Sequence, residues 1–145
     1  MKIYTYYLLF VLPIIFAACN NDGDESTIVG KWKFQATNIE AEGSDETIRE
    51  EVKAQLTAQF DSELKGKIYE FADNGTFTSP EGKKGSYTLV NDILTITQND
   101  KSEVYKMVSL DDQMVKLRKD FTEEELAGLD ETLTKLVTKY ALEKQ

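Results

Sequence analysis

The side chains that could carry chemistry in this chain are one cysteine and 26 aspartates and glutamates, with no histidine. Without histidine there is no histidine-dependent catalytic triad and no His-ligated zinc or haem site. A glycosidase needs two carboxylates about 5 to 9 Å apart, but no motif singles out a pair among so many acids. Ser79, Ser86 and Ser102 lack the Gly-x-Ser-x-Gly setting of a hydrolase nucleophile. The sequence therefore predicts a protein that is not an enzyme and holds no metal or cofactor.

The single thiol, Cys19, stands at the end of an apolar leader. Lys2 gives the leader a basic start, residues 8–16 are apolar with one interruption at Pro13, and Ala17 and Ala18 precede the cysteine. This apolar run is too short to span a bilayer, which takes about 20 apolar residues. A basic start, a short apolar core and small residues are typical of a secretory signal peptide, so residues 1–18 are predicted to be one.

Phe16-Ala17-Ala18-Cys19 resembles the lipobox of bacterial lipoproteins, which is an apolar residue, two small residues and a cysteine. The resemblance implies cleavage before Cys19, a diacylglyceryl thioether on its sulfur and acylation of the new amino group. The membrane would then be a partner through this lipid. Each buried methylene contributes about 0.8 kcal/mol, so several acyl chains hold where one is marginal. The alternative is a free cysteine in an ordinary secreted protein.

Residues 19–27 contain the acidic run "NNDGDES" and are predicted to form a solvated tether. This run is similar to the acidic stretch that follows the cysteine in lipoproteins of the Bacteroidetes type, where it looks like a signal for export to the cell surface. The resemblance implies an outer-membrane address with the domain facing outward.

The mature chain is acidic and of a size for one domain. Removal of residues 1–18 takes away Lys2 and no acid, so the net charge goes from −9 to −10. One core is expected for a chain of this length. Nucleic acid binding requires clustered bases, so the composition predicts no nucleic acid partner. Anionic head groups should also repel the domain, which leaves the anchoring to the lipid.

A strand and a helix open the domain. In "TIVGKWKFQATNIEA", Trp32, Phe34 and Ala36 alternate with polar residues, as in a half-buried strand. Residues 45–65 then predict an amphipathic helix, with Ser44 as N-cap and Gly66 past its end. Its apolar stripe repeats every four residues and consists of Ile48, Val52, Leu56, Phe60 and Leu64.

Short antiparallel strands follow from Lys67 onward. Asn74-Gly75 is a strong hairpin signal because both residues tolerate positive φ. A second hairpin is predicted across Asn91-Asp92, with Tyr87 and Leu89 opposite Leu94 and Ile96, and a third turn at Asp111-Asp112. We count about seven strands.

Residues 122–145 predict a C-terminal amphipathic helix. Thr122 and Glu125 match a capping box, and an apolar stripe recurs at spacings of three and four. The stripe consists of Leu126, Leu129, Leu133, Leu136 and Tyr140. It is expected to pack against the domain's own sheet, and the alternative is that it grips a partner helix.

The order of these motifs resembles lipocalins, and more closely the lipocalin-like domains of Bacteroidetes lipoproteins. The resemblance covers residues 28–120 and rests on Gly30-Lys31-Trp32 and on "YEFADNGTF", "GSYTLVNDILTI" and "VSLDDQMVKLRK". It implies a mainly β domain over residues 28–121: an antiparallel meander forming a lipocalin-like barrel, closed or open, of about seven to eight strands. Trp32 would close one end, and the inserted helix would stand where a lipocalin has a loop over the cavity mouth.

Six aromatic residues alternate with polar ones on these strands: Trp32, Phe34, Tyr69, Phe71, Phe77 and Tyr87. They could line a pocket for a small apolar or amphipathic ligand, with helix 45–65 as its lid. The alternative is a filled core, because a barrel of eight strands is barely wide enough for its own side chains. Two functions follow, a non-catalytic binding protein or a filled barrel that docks another cell-envelope protein.

Overall fold

The structure is a computed structural model that describes residues 27–145. The predicted signal peptide, Cys19 and all but the last residue of the tether lie outside the described residues. Within residues 27–145 there are eight strands and two helices, which follow one another as β1 (Gly30–Gly43), α1 (Glu46–Leu64), β2 (Ile68–Phe71), β3 (Thr76–Thr78), β4 (Lys84–Val90), β5 (Ile93–Gln98), β6 (Lys101–Leu110), β7 (Met114–Asp120), α2 (Glu123–Ala127) and β8 (Leu133–Lys144). Neither described helix is long and apolar enough to cross a membrane.

The strands form a closed antiparallel barrel in which each strand pairs with its neighbours in the chain, and β8 returns to β1. Closure removes the unpaired strand edges that an open sheet would leave. The predicted antiparallel barrel is therefore confirmed; it is closed and has eight strands. The hairpin at Asn91-Asp92 also has the predicted register, with Tyr87 opposite Ile96. Both turn residues have positive φ, 49° and 64°, as a two-residue turn of type I′ requires.

The two ends of the barrel differ in what covers them. At the first end, called the closed end below, lie the start of β1, the end of β8 and the turns β2–β3, β4–β5 and β6–β7. Trp32 fills this end: it is fully buried, its indole N–H donates to the carbonyl of Ile28 at 2.7 Å, and Lys144 Nζ lies 5.5 Å from its ring. At the other end, called the mouth, lie α1, α2 and the turns β3–β4 and β5–β6.

The inserted helix is confirmed, with one correction at its start. The predicted stripe is the half-buried face of α1, but the N-cap is Asp45 rather than Ser44, because the carboxylate of Asp45 accepts from the N–H of Ile48 at 3.1 Å. Gly66 ends the helix with φ +76°. Val52, Leu56 and Phe60 pack against a buried cluster at the mouth, formed by Ile39, Leu126, Leu133 and Leu136. This contact holds the helix across the mouth.

The predicted C-terminal helix over residues 122–145 is wrong beyond its first turn. The capping box of Thr122 and Glu125 is present, but α2 ends at Ala127. Thr132 then donates its N–H and its hydroxyl to the carboxylate of Asp130, at 2.8 and 2.6 Å, in a turn that precedes β8. Without a strand here β1 and β7 would both be open edges, and β8 pairs with each of them. Tertiary pairing thus overrides the helical spacing of the leucines.

Candidate functional site

A cavity of about 680 Å³ occupies the mouth half of the barrel. Aromatic and aliphatic side chains from several strands form its wall, among them Phe34, Tyr69, Phe77, Tyr105 and Tyr140, and the last turn of α1 borders it through Phe60 and Leu64. Below the cavity the barrel is filled by the core around Trp32. The barrel is thus packed at one end and hollow at the other.

The structure separates the six predicted pocket residues into two sets. Phe34, Tyr69, Phe71 and Phe77 line the cavity. Trp32 and Tyr87 do not belong to its lining. Trp32 belongs to the core at the closed end. The hydroxyl of Tyr87 donates to the carbonyl of Ala72 at 2.8 Å, and its ring packs edge-on against Phe71 with centroids 5.1 Å apart. Tyr87 therefore stabilises the β2–β3 turn through its hydrogen bond to Ala72, and it packs against Phe71 of the cavity wall.

The aromatic rings form two connected groups. On the β2–β3 side, Phe71 and Phe77 have ring centroids 5.3 Å apart, and Tyr69 stacks on Phe77 at 6.2 Å. In the second group, Tyr140 contacts Phe34, Phe60 and Tyr105 edge-on, with centroid separations of 6.3, 6.0 and 6.0 Å. Edge-to-face contacts of this kind stabilise by about 1 kcal/mol beyond the buried area. They fix the shape of the cavity wall.

Sequence reasoning missed Tyr105 and Tyr140, which both line the cavity. The helical spacing of the C-terminal leucines predicts a helix at Tyr140, and this prediction conceals its inward position in β8. Tyr105 follows Val104 directly in β6, and a strand with two adjacent apolar residues gives no hydrophobic preference for either face. The register decides it: Tyr105 is opposite Leu94, which is fully buried, and Val104 is 54% exposed. The pairing of β6 with β5 was the signal that could have placed Tyr105 inside.

Glu103 is a second residue that sequence reasoning missed. It lies opposite Ile96 in the β5–β6 register, on the inward face and two residues nearer the mouth than Tyr105. The Tyr105 hydroxyl donates to its carboxylate, and both groups line the cavity. Burial, followed by the hydrogen bond to Glu103, raises the pKa of Tyr105 above its ordinary value.

The other two phenols of the cavity are also held neutral. Burial is the main cause that raises the pKa of Tyr69 to about 12, and the nearby carboxylates Glu81 and Glu103 add to it. Burial likewise raises the pKa of Tyr140 to about 12. At neutral pH these groups are therefore uncharged and available as hydrogen-bond donors and acceptors.

Three of the other four charged residues that line the cavity have partners, and the fourth, Lys101, forms no salt bridge among the described residues. Glu81 is paired with Lys67 at 3.2 Å, and Glu63 accepts from the amide of Gln59 at 3.2 Å. Lys119 is paired with Glu125 at 3.3 Å. Among residues 27–145, Glu103 forms no salt bridge, so the phenol of Tyr105 is its one described polar partner there.

Three buried hydroxyl groups in the described part of the chain make no close hydrogen bond, those of Thr37, Ser79 and Thr138, although Glu81 lies near the hydroxyl of Ser79 and Tyr140 near that of Thr138. Ser79 lines the cavity. Thr37 lies opposite Tyr140, and Thr138 lies opposite Ile39, so both belong to the mouth half of the barrel. Buried polar groups normally find partners, because an unsatisfied one costs about 1 to 3 kcal/mol. The mouth half therefore has spare hydrogen-bonding capacity.

Comparison with known proteins agrees with this architecture. A family model described as a lipocalin-like domain matches residues 28–116, which is more than half of the chain. The chain belongs to the lipocalin-like domain family. The match covers the strands from β1 to the start of β7, including the inserted helix. Neither the comparison with curated proteins nor that with solved structures finds a match.

Membership of the lipocalin-like domain family indicates a ligand-binding or interaction module. The apolar stripe that suggested a docking helix is not an outer face in this lipocalin-like domain. Leu126, Leu133 and Leu136 are buried, and Tyr140 lines the cavity. Four of the five stripe residues therefore pack within the domain, most of them in a strand, whereas Leu129 is 42% exposed. The lipobox, the lipid on Cys19 and the outer-membrane address stay predictions.

Proposed function

We propose that this protein is a non-catalytic, lipid-anchored binding protein that holds a small apolar or amphipathic molecule in its barrel. The observation that carries the proposal is the cavity of about 680 Å³ in the mouth half. Ligand sites commonly have volumes of about 300 to 1,000 Å³ and combine an apolar wall with a few polar groups. The aromatic rings around Tyr140 and Phe77 and the hydroxyls of the three tyrosines supply both features.

In this proposal α1 is the lid. Phe60 and Leu64 border the cavity, and the packing of Val52 and Leu56 on the mouth cluster keeps the helix in place. The side chains of this helical face are only half-buried, so its separation from the barrel exposes less apolar surface than the loss of a fully buried element. A ligand could enter by displacement of this helix while the closed end stays intact.

The binding proposal is tested by native mass spectrometry of purified residues 20–145, followed by organic extraction of the sample. The barrel and both of its apolar clusters lie within this segment. We expect a mass above that of the chain, with a small molecule recovered in the extract. A domain that has the mass of the chain alone and takes up nothing from a panel of bile acids, fatty acids and haem would contradict the proposal.

The anchor is tested separately by the substitution Cys19→Ala in the full chain. With the sulfur removed no thioether can form, and we expect the protein to move from the membrane fraction to the soluble fraction. Protease treatment of intact cells carrying the unchanged protein tests whether the domain faces outward. A Cys19→Ala variant that stays in the membrane fraction would overturn the lipid anchor without affecting the barrel.

A further inference from the structure

The charged groups of the cavity point to the head group of its ligand, an inference that rests on the proposed binding function. We propose that the cavity recognises amphipathic amines, with the ammonium group at Glu103 and the apolar part against the aromatic wall. The first observation is the position of Glu103. It faces inward beside Ile96, between the rim residue Lys101 and the deeper Tyr105. A ligand in the cavity therefore has this carboxylate on its wall.

The second observation is that Glu103 has unused capacity. An ionised carboxylate has about four acceptor positions, and the Tyr105 hydroxyl occupies one of them. No lysine or arginine among the described residues forms a salt bridge with Glu103, whereas Glu81 at the rim is paired with Lys67. Glu103 is solvent-exposed, so water serves the remaining positions of the free protein, and an ammonium group would replace that water and add the opposite charge.

The surroundings of Glu103 favour a cation over an anion. Tyr105 and Tyr140 present aromatic rings on the same side of the cavity, and ring faces attract cations. An anionic head group would need a lysine. Lys119 is paired with Glu125 at 3.3 Å. Lys101 lines the cavity without a salt bridge among the described residues, but it stands two residues nearer the mouth than Glu103. A carboxylate ligand that reached past the rim would meet Glu103 and be repelled.

The net negative charge of the domain also favours cationic ligands over anionic ones. Residues 19–145 carry a net charge of −10, since removal of the predicted signal peptide takes one lysine from a chain of −9. An acidic surface raises the local concentration of cationic ligands and lowers that of anionic ones. This long-range term affects every cation equally, so the experiment must separate it from the contact at Glu103.

The test compares three ligands that share one alkyl chain and differ in head group: decylamine, decanoate and decanol. Their affinities for residues 20–145 are measured by calorimetry at neutral pH and low salt, below micelle formation. We expect decylamine to bind at least about ten times more tightly than decanoate, as one charge-assisted hydrogen bond would give. Decanol should lie between them.

Three variants locate the effect. Glu103→Gln keeps the shape and removes the charge, and should lower decylamine affinity about tenfold while decanol affinity stays within about twofold. Glu103→Lys should reverse the order of decylamine and decanoate. Glu70→Gln is the matched control, because Glu70 is exposed on the outer face of β2 and loses the same charge. Circular dichroism of each variant checks that the barrel is folded.

The outcomes separate the two proposals. Decanoate binding as tightly as decylamine, or equal effects of Glu103→Gln and Glu70→Gln, would overturn the amine assignment and leave the binding function standing. Equal affinities for decylamine and decanol would do the same. Failure of all three ligands to bind would overturn the amine assignment, and the native mass spectrometry described above would then decide separately whether the binding function stands.

Discussion

At the closed end of the barrel Trp32 is fully buried and its indole N–H has a partner, whereas at the mouth Tyr69 and Tyr140 are only half-buried around a cavity. Both ends are built from the same alternation of apolar and polar residues. They differ because the inward side chains pack into a core at the closed end and surround a cavity at the mouth. The cluster around Trp32 has nine buried apolar residues, of which Phe71, Phe77, Leu117 and Leu142 also form the cavity wall, and the mouth cluster has four, supplemented by half-buried side chains of α1.

This difference divides stability and function between the two ends. Closely packed apolar side chains stabilise a fold most, because each contributes both its transfer from water and its contacts. The mouth half instead carries three buried hydroxyls that make no close hydrogen bond in the described part of the chain and a helix with no fully buried residue. Such a region is less stable by itself, and it is free to respond to a ligand. Three predictions test this division.

The largest effect is expected at the closed end, from Trp32→Ala. The substitution leaves a large cavity in the core and removes the hydrogen bond to Ile28, so the free energy of unfolding should fall by about 4 kcal/mol. That is a large part of the total for a domain of this size, which is about 5 to 15 kcal/mol. Urea unfolding followed by circular dichroism measures it. A loss smaller than that caused by changes at the mouth would contradict the division.

The second effect is expected at the mouth, from Phe60→Ala. Phe60 is half-buried and its ring contacts that of Tyr140 at 6.0 Å, so its loss should cost about 2 kcal/mol, less than a fully buried ring. Because the lid is loosened, dissociation of a bound molecule such as decylamine should also become faster, as stopped-flow measurements would detect.

Leu129→Ala is the control for Phe60→Ala. Leu129 is 42% exposed, so this change should alter the free energy of unfolding by less than about 0.5 kcal/mol and leave the dissociation rate unchanged. If Phe60→Ala lowers stability but leaves dissociation as it was, α1 supports the barrel without acting as a lid.

The third effect is absent at neutral pH, is confined to alkaline solution and again belongs to the mouth. The pKa values of Tyr69 and Tyr140 are raised from 10.0 to about 12 in the folded state, chiefly by burial. The unfolded chain therefore releases these protons first, and stability should fall as the pH rises from about 10 towards 12 and be unaffected near neutrality. Urea unfolding at several alkaline pH values measures this slope.

Tyr140→Phe removes one of these protons and should make the alkaline decrease in stability shallower. The comparison with the unchanged chain cancels the contribution of lysines, which titrate in the same range. An identical slope in both proteins would mean that Tyr140 is as well hydrated in the folded state as in the unfolded one.

The sequence predicted the closed end better than the mouth. Local signals sufficed where turns define the pairing: Asn91-Asp92 set the β4–β5 register, and the order of motifs placed Trp32 in the first strand. The stripe of α1 was also predicted, since a helix with apolar residues at every fourth position has one apolar face.

The mouth depends on contacts between distant parts of the chain, which local patterns do not contain. β8 was predicted as a helix because its leucines have helical spacing, and only the unpaired edges of β1 and β7 require a strand there. Tyr105 and Glu103 face inward because β5 sets their register. The depth of the cavity depends on how far the core around Trp32 extends up the barrel, which is a matter of packing in three dimensions.

The entry of the chain at the closed end has one more consequence. Residues 27–30 lead into β1 beside Trp32, on the side of the barrel opposite to the mouth. If Cys19 carries the lipid, the eight residues between it and Ile28 span at most about 28 Å. An anchor on this side of the barrel favours an arrangement with the bilayer beneath the filled floor and α1 towards the surrounding medium. A ligand would therefore enter the mouth from solution or from another protein, and not from the lipid bilayer that holds the anchor.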